Sequence, residues 1–374
     1  MTPPPIDINS IQNAHILVRV GFDIPNYEDL SRIQDAIPTI KLLLSHNNRL
    51  ILITKWGKIK TDDDKAKFST QQLIPALNQI LQQNNIDIQA KYLNQFSGNV
   101  SDWSNTIENN KIILYENVHF MEDEKSEDTT KRMAVAKYYI EGVQYFVDEC
   151  FISSHRQEAT NTEIKELLPW AFGLGYQSEI NHLEKLKNNP AQPFVVIMGG
   201  AKLETKLPLI EKMLPKADKI LLGGLLCFTF MQASNELGLT NSDIYDSFVE
   251  KDFVEQAKLI LTNYKDKIIL PTDLIFEKVE NQTFGRDIGE ESISNFEQVL
   301  STAKAVFWNG PMGFFESPKF KIGTLEIAKY LANLEECYVV LGGGDTNAAL
   351  GEELLAKYDF VSMGGGATLE YLSK

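Results

Sequence analysis

The chain has 374 residues, with Lys+Arg 36 against Asp+Glu 51 and a formal net charge of -15. That length is about twice a usual single domain, so two compact units with separate cores are expected, and the acidic balance argues against nucleic acid or an anionic membrane surface as partner. Three widely spaced cysteines, Cys150, Cys227 and Cys337, form no CxxC pair, which argues against a disulfide framework and suits reduced thiols in the cytoplasm.

In chain order, residues 1–10 are proline-rich where a signal peptide would need a basic start and an apolar run. Short β-branched or apolar runs then alternate with longer helical patterns. His15–Val20, Leu50–Thr54, Lys111–Tyr115 and Gln144–Val147 predict strands in the first half; Phe194–Met198, Lys219–Leu222, Lys267–Leu270, Ala305–Trp308 and Tyr338–Leu341 predict them in the second. The alternation predicts an α/β fold of two doubly wound, Rossmann-like parallel-sheet domains. Between them Ile180, Leu183 and Leu186 recur at helical spacing across Gln177–Asn188, and Asn188–Asn189–Pro190 ends that helix. The expected domains are 1–170 and 191–374, joined by a helix within 171–190. The apolar stretch Ile220–Met231 is interrupted by Gly223 and Gly224 and is too short to span a bilayer.

The second half carries most of the chemistry. After Phe194–Met198 comes Gly199–Gly200–Ala201–Lys202, then Leu203–Glu204–Thr205–Lys206 and a helical pattern through Leu214. Glycines at a strand end let a backbone approach phosphates, and a following helix N-terminus presents N–H groups. Lys202 and Lys206, one helical turn apart, are placed to share a face. Gly342–Gly343–Gly344–Asp345–Thr346 repeats the signal, with Asp345 either a carboxylate for Mg²⁺ or a plain N-cap. Trp308–Asn309–Gly310–Pro311–Met312–Gly313 and Gly364–Gly365–Gly366 add two more strand-end turns, the edge where doubly wound sheets collect ligands. Neither GxxxxGK[ST] nor GxGxxG is present, which argues against a P-loop or dinucleotide site.

Those motifs, in that order, resemble the phosphoglycerate kinase family, with Trp308–Asn309–Gly310–Pro311–Met312–Gly313 running on into Phe314–Phe315–Glu316. Leu17–Val18–Arg19–Val20–Gly21–Phe22–Asp23–Ile24–Pro25, Arg32 to Leu43, Glu116–Asn117–Val118–His119–Phe120 and His155–Arg156 extend the resemblance through the first half. It implies a hinge-bending kinase moving a phosphoryl group between 1,3-bisphosphoglycerate and MgADP, giving 3-phosphoglycerate and ATP in glycolysis or gluconeogenesis, as a cytoplasmic monomer. By the same resemblance Lys202, Lys206 and Arg32 are catalytic, and Asp345 holds Mg²⁺. Gly200, Ala201, Gly224, Pro311 and Glu316 line the adenosine site; Asn309, Gly342, Gly343, Gly344 and Thr346 border the phosphates. Asp23, Arg32, Lys55, Lys58, His119 and Arg156 fall to the acceptor.

The acceptor half departs from the family pattern. Val20–Gly21–Phe22–Asp23 stands for Val-Asp-Phe-Asn, and Thr54–Lys55–Trp56–Gly57–Lys58–Ile59 for Ser-His-Leu-Gly-Arg-Pro, keeping positive charge but giving up a guanidinium fork. His119 replaces an arginine and Glu158 the second histidine of the His155–Arg156 motif. Thr205 and Met363 also depart, and the chain ends at Lys374 before a Leu-Pro-Gly tail. A related kinase with another acceptor, or a non-catalytic nucleotide-binding protein, stays open as an alternative. Trp56 is expected at a domain interface, and Glu122–Lys125 in a solvated loop or helix start.

Overall fold

A computed structural model describes residues 2–24, 29–94 and 110–374; Pro25 lies outside the described residues. The chain separates into two compact units, residues 1–180 and 181–374, and the division falls inside the helix Leu174–Lys187.

In the first unit six strands lie in the order β3-β4-β2-β1-β5-β6, all parallel. They are β1 His15–Val20, β2 Arg49–Ile53, β3 Ala90–Leu93, β4 Ile112–Tyr115, β5 Tyr145–Glu149 and β6 Trp170–Phe172. A parallel sheet covered on both faces needs apolar side chains on both. Along β1, Ile16, Val18 and Val20 enter one core with Ile40, Leu43 and Leu77, whereas Leu17 enters the other with Ile51, Phe146 and Tyr139. Each such side chain contributes about 1.5–3 kcal/mol by burial. Arg19 shares the parity of Leu17, so a guanidinium is carried into the interior at 0% exposure.

The second unit repeats the scheme with β7 Phe194–Met198, β8 Lys219–Leu222, β9 Ile268–Ile269, β10 Leu274–Val279, β11 Gln282–Ile288, β12 Ala305–Asn309, β13 Tyr338–Gly342 and β14 Phe360–Ser362. The parallel sheet runs β14-β13-β12-β7-β8-β9, and β10–β11 form a separate antiparallel hairpin. Val195, Ile197, Val306, Trp308 and Leu341 build one core face.

Several expectations need correction. The strand expected at Lys267–Leu270 is only Ile268–Ile269, because Pro271 soon follows and has no N–H for a ladder. Trp56 is a core residue of its own unit, 5% exposed, donating from Nε1 to the Ile24 carbonyl at 3.0 Å and meeting Phe68 edge-on. Glu122–Lys125 is a short 3-10 turn, and Glu124 within it is fully buried. The helix after the first glycine turn is Leu207–Met213.

Candidate active site

The acceptor-side residues gather beyond the carboxyl ends of β1, β2, β4 and β5, where strand ends leave backbone and side chains free of the ladder. Asp23, just past β1, accepts from Lys55 Nζ at 2.6 Å and from the Gly57 N–H at 2.9 Å. Burial alone would raise its pKa, but Lys55 and that N–H outweigh burial and hold it below the usual range. That carboxylate is therefore occupied in positioning Lys55. Arg32, second residue of the helix Ser31–Asp35, donates to the Asp23 carbonyl. Lys58 is exposed.

His119 and Arg156 converge on one carboxylate. Glu158 pairs with buried Arg19, takes a 3.4 Å contact from His119 Nε2, and lies 3.9 Å from Arg156 Nη1. The Arg19 and Glu158 side chains are 1% and 3% exposed, so screening is weak and the pair is held at low dielectric. Burial works against the Glu158 charge, yet the hydrogen bond from His119 and the Arg19 charge bring its pKa down to about 2. Burial lowers the His119 pKa despite Glu158. Glu124, near the same arginine, is pushed up to about 7 by burial, with its Oε1 accepting from Thr160. Sequence motifs name His119 and Arg156 but give no hint that a buried Arg19–Glu158 pair stands beneath them, with His119 buried against it and Arg156 at its exposed rim; that depends on strand parity and on a contact 139 residues apart.

On the nucleotide side the turns after β7, β8 and β12 hold one another by backbone. Gly199 N–H donates to Asn309 O at 2.9 Å, Gly200 N–H to Pro311 O at 2.8 Å and Gly224 N–H to Met312 O at 2.8 Å. The approach is too close for side chains: a Cβ on Gly224, at φ +61°, would lie 2.4 Å from Gly200 N, and one on Gly310 2.3 Å from Gly199 O. Together with β11 these turns enclose a cavity of about 220 Å³, lined by Gly200, Ala201, Gly224, Phe228, Pro311 and Glu316 among others, with Asp345 also on its wall.

The glycine N–H groups are thus spent on shaping the cavity. Those of Leu203 and Glu204, next along, are taken by the Glu250 carboxylate, so the expectation of open N–H groups at a helix start is corrected there. Because residues 203–206 form turns, Lys202 and Lys206 do not share a helical face. Lys202 is exposed. Lys206 caps the helix Leu207–Met213, with Nζ 2.9 Å from where a Gly200 Cβ would stand. Burial lowers its pKa against the pull of Asp345 and Glu250.

Asp345 is the second residue of the helix Gly344–Leu350, whose N-cap is Gly343, and it is exposed; the N-cap alternative is removed. Thr346 is fully buried, its hydroxyl accepting from Gly310 N–H at 2.7 Å and donating to Gly342 O at 3.1 Å, so it ties two turns together. Asn309 is 4% exposed, with its amide against Gly343.

Lysines beside glycine turns at one sheet edge, and guanidinium groups at the equivalent edge of a second parallel-sheet unit, suit two anionic ligands and place the molecule among the α/β phosphotransferases. The model of the family "Phosphoglycerate kinase" matches residues 6–374. A phosphoglycerate kinase of Fusobacterium nucleatum is 33% identical over 98% of this chain and 95% of its own length. One from Limosilactobacillus reuteri is 35% identical over 97% and 94%. The solved structure of phosphoglycerate kinase from Coxiella burnetii superposes with a TM-score of 0.82 at 26% identity, covering 99% of this chain and 96% of that one. The Pyrococcus horikoshii structure, 23% identical with a TM-score of 0.78, shares the fold. The chain belongs to the phosphoglycerate kinase family, and its activity is reversible phosphoryl transfer between 1,3-bisphosphoglycerate and ADP, giving 3-phosphoglycerate and ATP, a reaction of glycolysis.

Proposed function

We propose that the first unit binds 3-phosphoglycerate through Arg32, Lys55, Lys58, His119 and Arg156, and that the cavity of the second binds the nucleotide. In this reading Asp23 orients Lys55, and Glu158 positions His119 and Arg156. The observation that carries it is the cavity bounded by the interlocked turns at Gly200, Gly224 and Pro311 with Asp345 on its wall. Lys202 and Lys206 neutralise charge on the transferring phosphoryl group, which is the main service a protein renders to this chemistry. Glu316 accepts from the ribose hydroxyls.

Asp345 fits a Mg²⁺ that arrives with the nucleotide. Its carboxylate is exposed on the cavity wall, and Mg²⁺ commonly takes one or two carboxylates and completes its shell with phosphates and water. Among the described residues no three His, Cys, Asp or Glu side chains form an all-protein cage. When bound, the ion would supply charge neutralisation at the phosphate oxygens. Among the described residues no helix is long and apolar enough to cross a membrane; we place the enzyme in the cytoplasm, as a monomer. Isothermal titration tests the division of labour. Arg32→Ala is expected to weaken 3-phosphoglycerate at least tenfold and leave ADP binding alone, and Asp345→Asn to weaken ADP in Mg²⁺ but not without it. Equal effects of either variant on both ligands would overturn the assignment.

A further inference from the structure

The run Glu122–Asp123–Glu124–Lys125–Ser126–Glu127–Asp128 holds one lysine among carboxylates, and local pairing is the ordinary fate of such a side chain. Lys125 does not follow it. Among the described residues its ammonium makes no ion pair or hydrogen bond; Asp123 is paired with Lys131 at 3.3 Å, and Glu124 is turned into the interior. The backbone is fixed on both sides of it. The Ala159 N–H donates to the Glu124 carbonyl at 2.9 Å, and the Glu124 carboxylate accepts from the Thr160 hydroxyl at 2.5 Å and N–H at 3.2 Å. On the other side the Ser126 carbonyl accepts from Arg132 Nη1 at 2.6 Å, and buried Arg132 is paired with Glu163 at 2.6 Å. The turn is thus fastened to the segment that carries Glu158, and exposed Lys125 joins the acceptor cluster. Partial burial lowers its pKa, and the charges of Lys55 and Arg156 act in the same direction, against the pull of Glu158 and Glu124.

We propose that Lys125 is a further acceptor-binding residue and that, with Arg156, it takes the phosphate ester of 3-phosphoglycerate; this rests on the first unit being the acceptor site, as proposed above. Charge balance decides which end of the substrate it serves. At pH 7 Lys55 is answered by Asp23 at 2.6 Å and Arg19 by Glu158, and His119, its pKa lowered by burial, is uncharged. Around Glu158 two cations are left over: Arg156, half exposed and 3.9 Å from a carboxylate that already has a closer partner, and Lys125. Two positive charges match a phosphate ester, which carries about -2 near neutral pH, whereas a carboxylate would leave one of them unanswered. The two side chains also divide the work, since a guanidinium grips two oxygens at once and an ammonium acts as a point charge on a third.

Steady-state kinetics in the ATP-consuming direction, with inorganic phosphate as a competitor of 3-phosphoglycerate, test this on the wild type, Lys125→Ala, Lys125→Arg and Arg156→Ala. Inorganic phosphate has the dianion without the carboxylate, so its inhibition constant reports on the phosphate position alone. Lys125→Ala is expected to raise the KM for 3-phosphoglycerate and the phosphate inhibition constant about tenfold each, with the KM for ATP unchanged. Lys125→Arg, which keeps the charge, is expected to bring both back towards wild type. Constants that stay put in Lys125→Ala while Arg156→Ala raises them would overturn the inference and leave the acceptor site standing. A higher KM for 3-phosphoglycerate with the phosphate constant unmoved would overturn the assignment to the phosphate ester. If neither Lys125→Ala nor Arg156→Ala moves either constant, the acceptor-site reading falls with it.

Discussion

Arg19 and Glu158 show how one residue can set the character of an inherited site. A buried guanidinium is tolerated only with a partner, because an isolated charge at low dielectric costs several kcal/mol. Glu158 is that partner, and it also faces His119 and Arg156. Glu158→Gln is expected to destabilise the fold at pH 7 by about 3–5 kcal/mol, the cost of leaving a buried charge unpaired, read from urea unfolding. The pH dependence has a definite sign. The folded pKa of Glu158, about 2, lies below its ordinary 4.5, so its stabilisation is present above pH 4.5 and is lost as the pH falls toward 2. The gap between wild type and variant should therefore narrow between pH 5 and pH 3; a constant gap would show that the effect is packing rather than charge.

At the scale of elements, the nucleotide site is made by strand-end turns whose backbones touch. Gly224→Ala would force a Cβ to within 2.4 Å of Gly200 N at a positive φ, a strain of about 1–3 kcal/mol. ADP affinity should fall at least tenfold in calorimetry, with a lower unfolding midpoint; unchanged ADP binding would mean that the turn packing does not shape the site. These turns were legible in the sequence because glycine clusters follow continuous apolar strands, and nine of the strands announce themselves in the same way. The others do not. Ala90–Leu93 has one buried side chain in four, Trp170–Phe172 and Phe360–Ser362 have three residues each, and the Leu274–Val279/Gln282–Ile288 hairpin is half exposed and polar. Lys202 and Lys206 were legible as a pair but not as to their backbone, since Pro208 at the second helical position fits a helix that begins only at Leu207.

For the whole molecule, the doubled α/β architecture follows from length and alternation, and each unit has its own cores. A net charge of -15 means that anionic substrates are drawn in by local cations and not by the protein's overall field. On the acceptor side part of that local charge is already answered, Lys55 by Asp23 and Arg19 by Glu158. Spacing along the chain could not show this, because each pair joins residues brought together only by the sheet. The central claim is that Arg32, Lys55, Lys58, His119 and Arg156, arranged in this way, still support turnover. The most direct measurement is phosphorylation of 3-phosphoglycerate by ATP in Mg²⁺, with Arg32→Ala and Lys206→Ala beside the wild type. The account predicts turnover by the wild type, with kcat/KM reduced at least a hundredfold in both variants, the loss of about 3 kcal/mol or more of transition-state stabilisation. Turnover that survives Arg32→Ala, or its absence in a wild type that binds nucleotide, would contradict it.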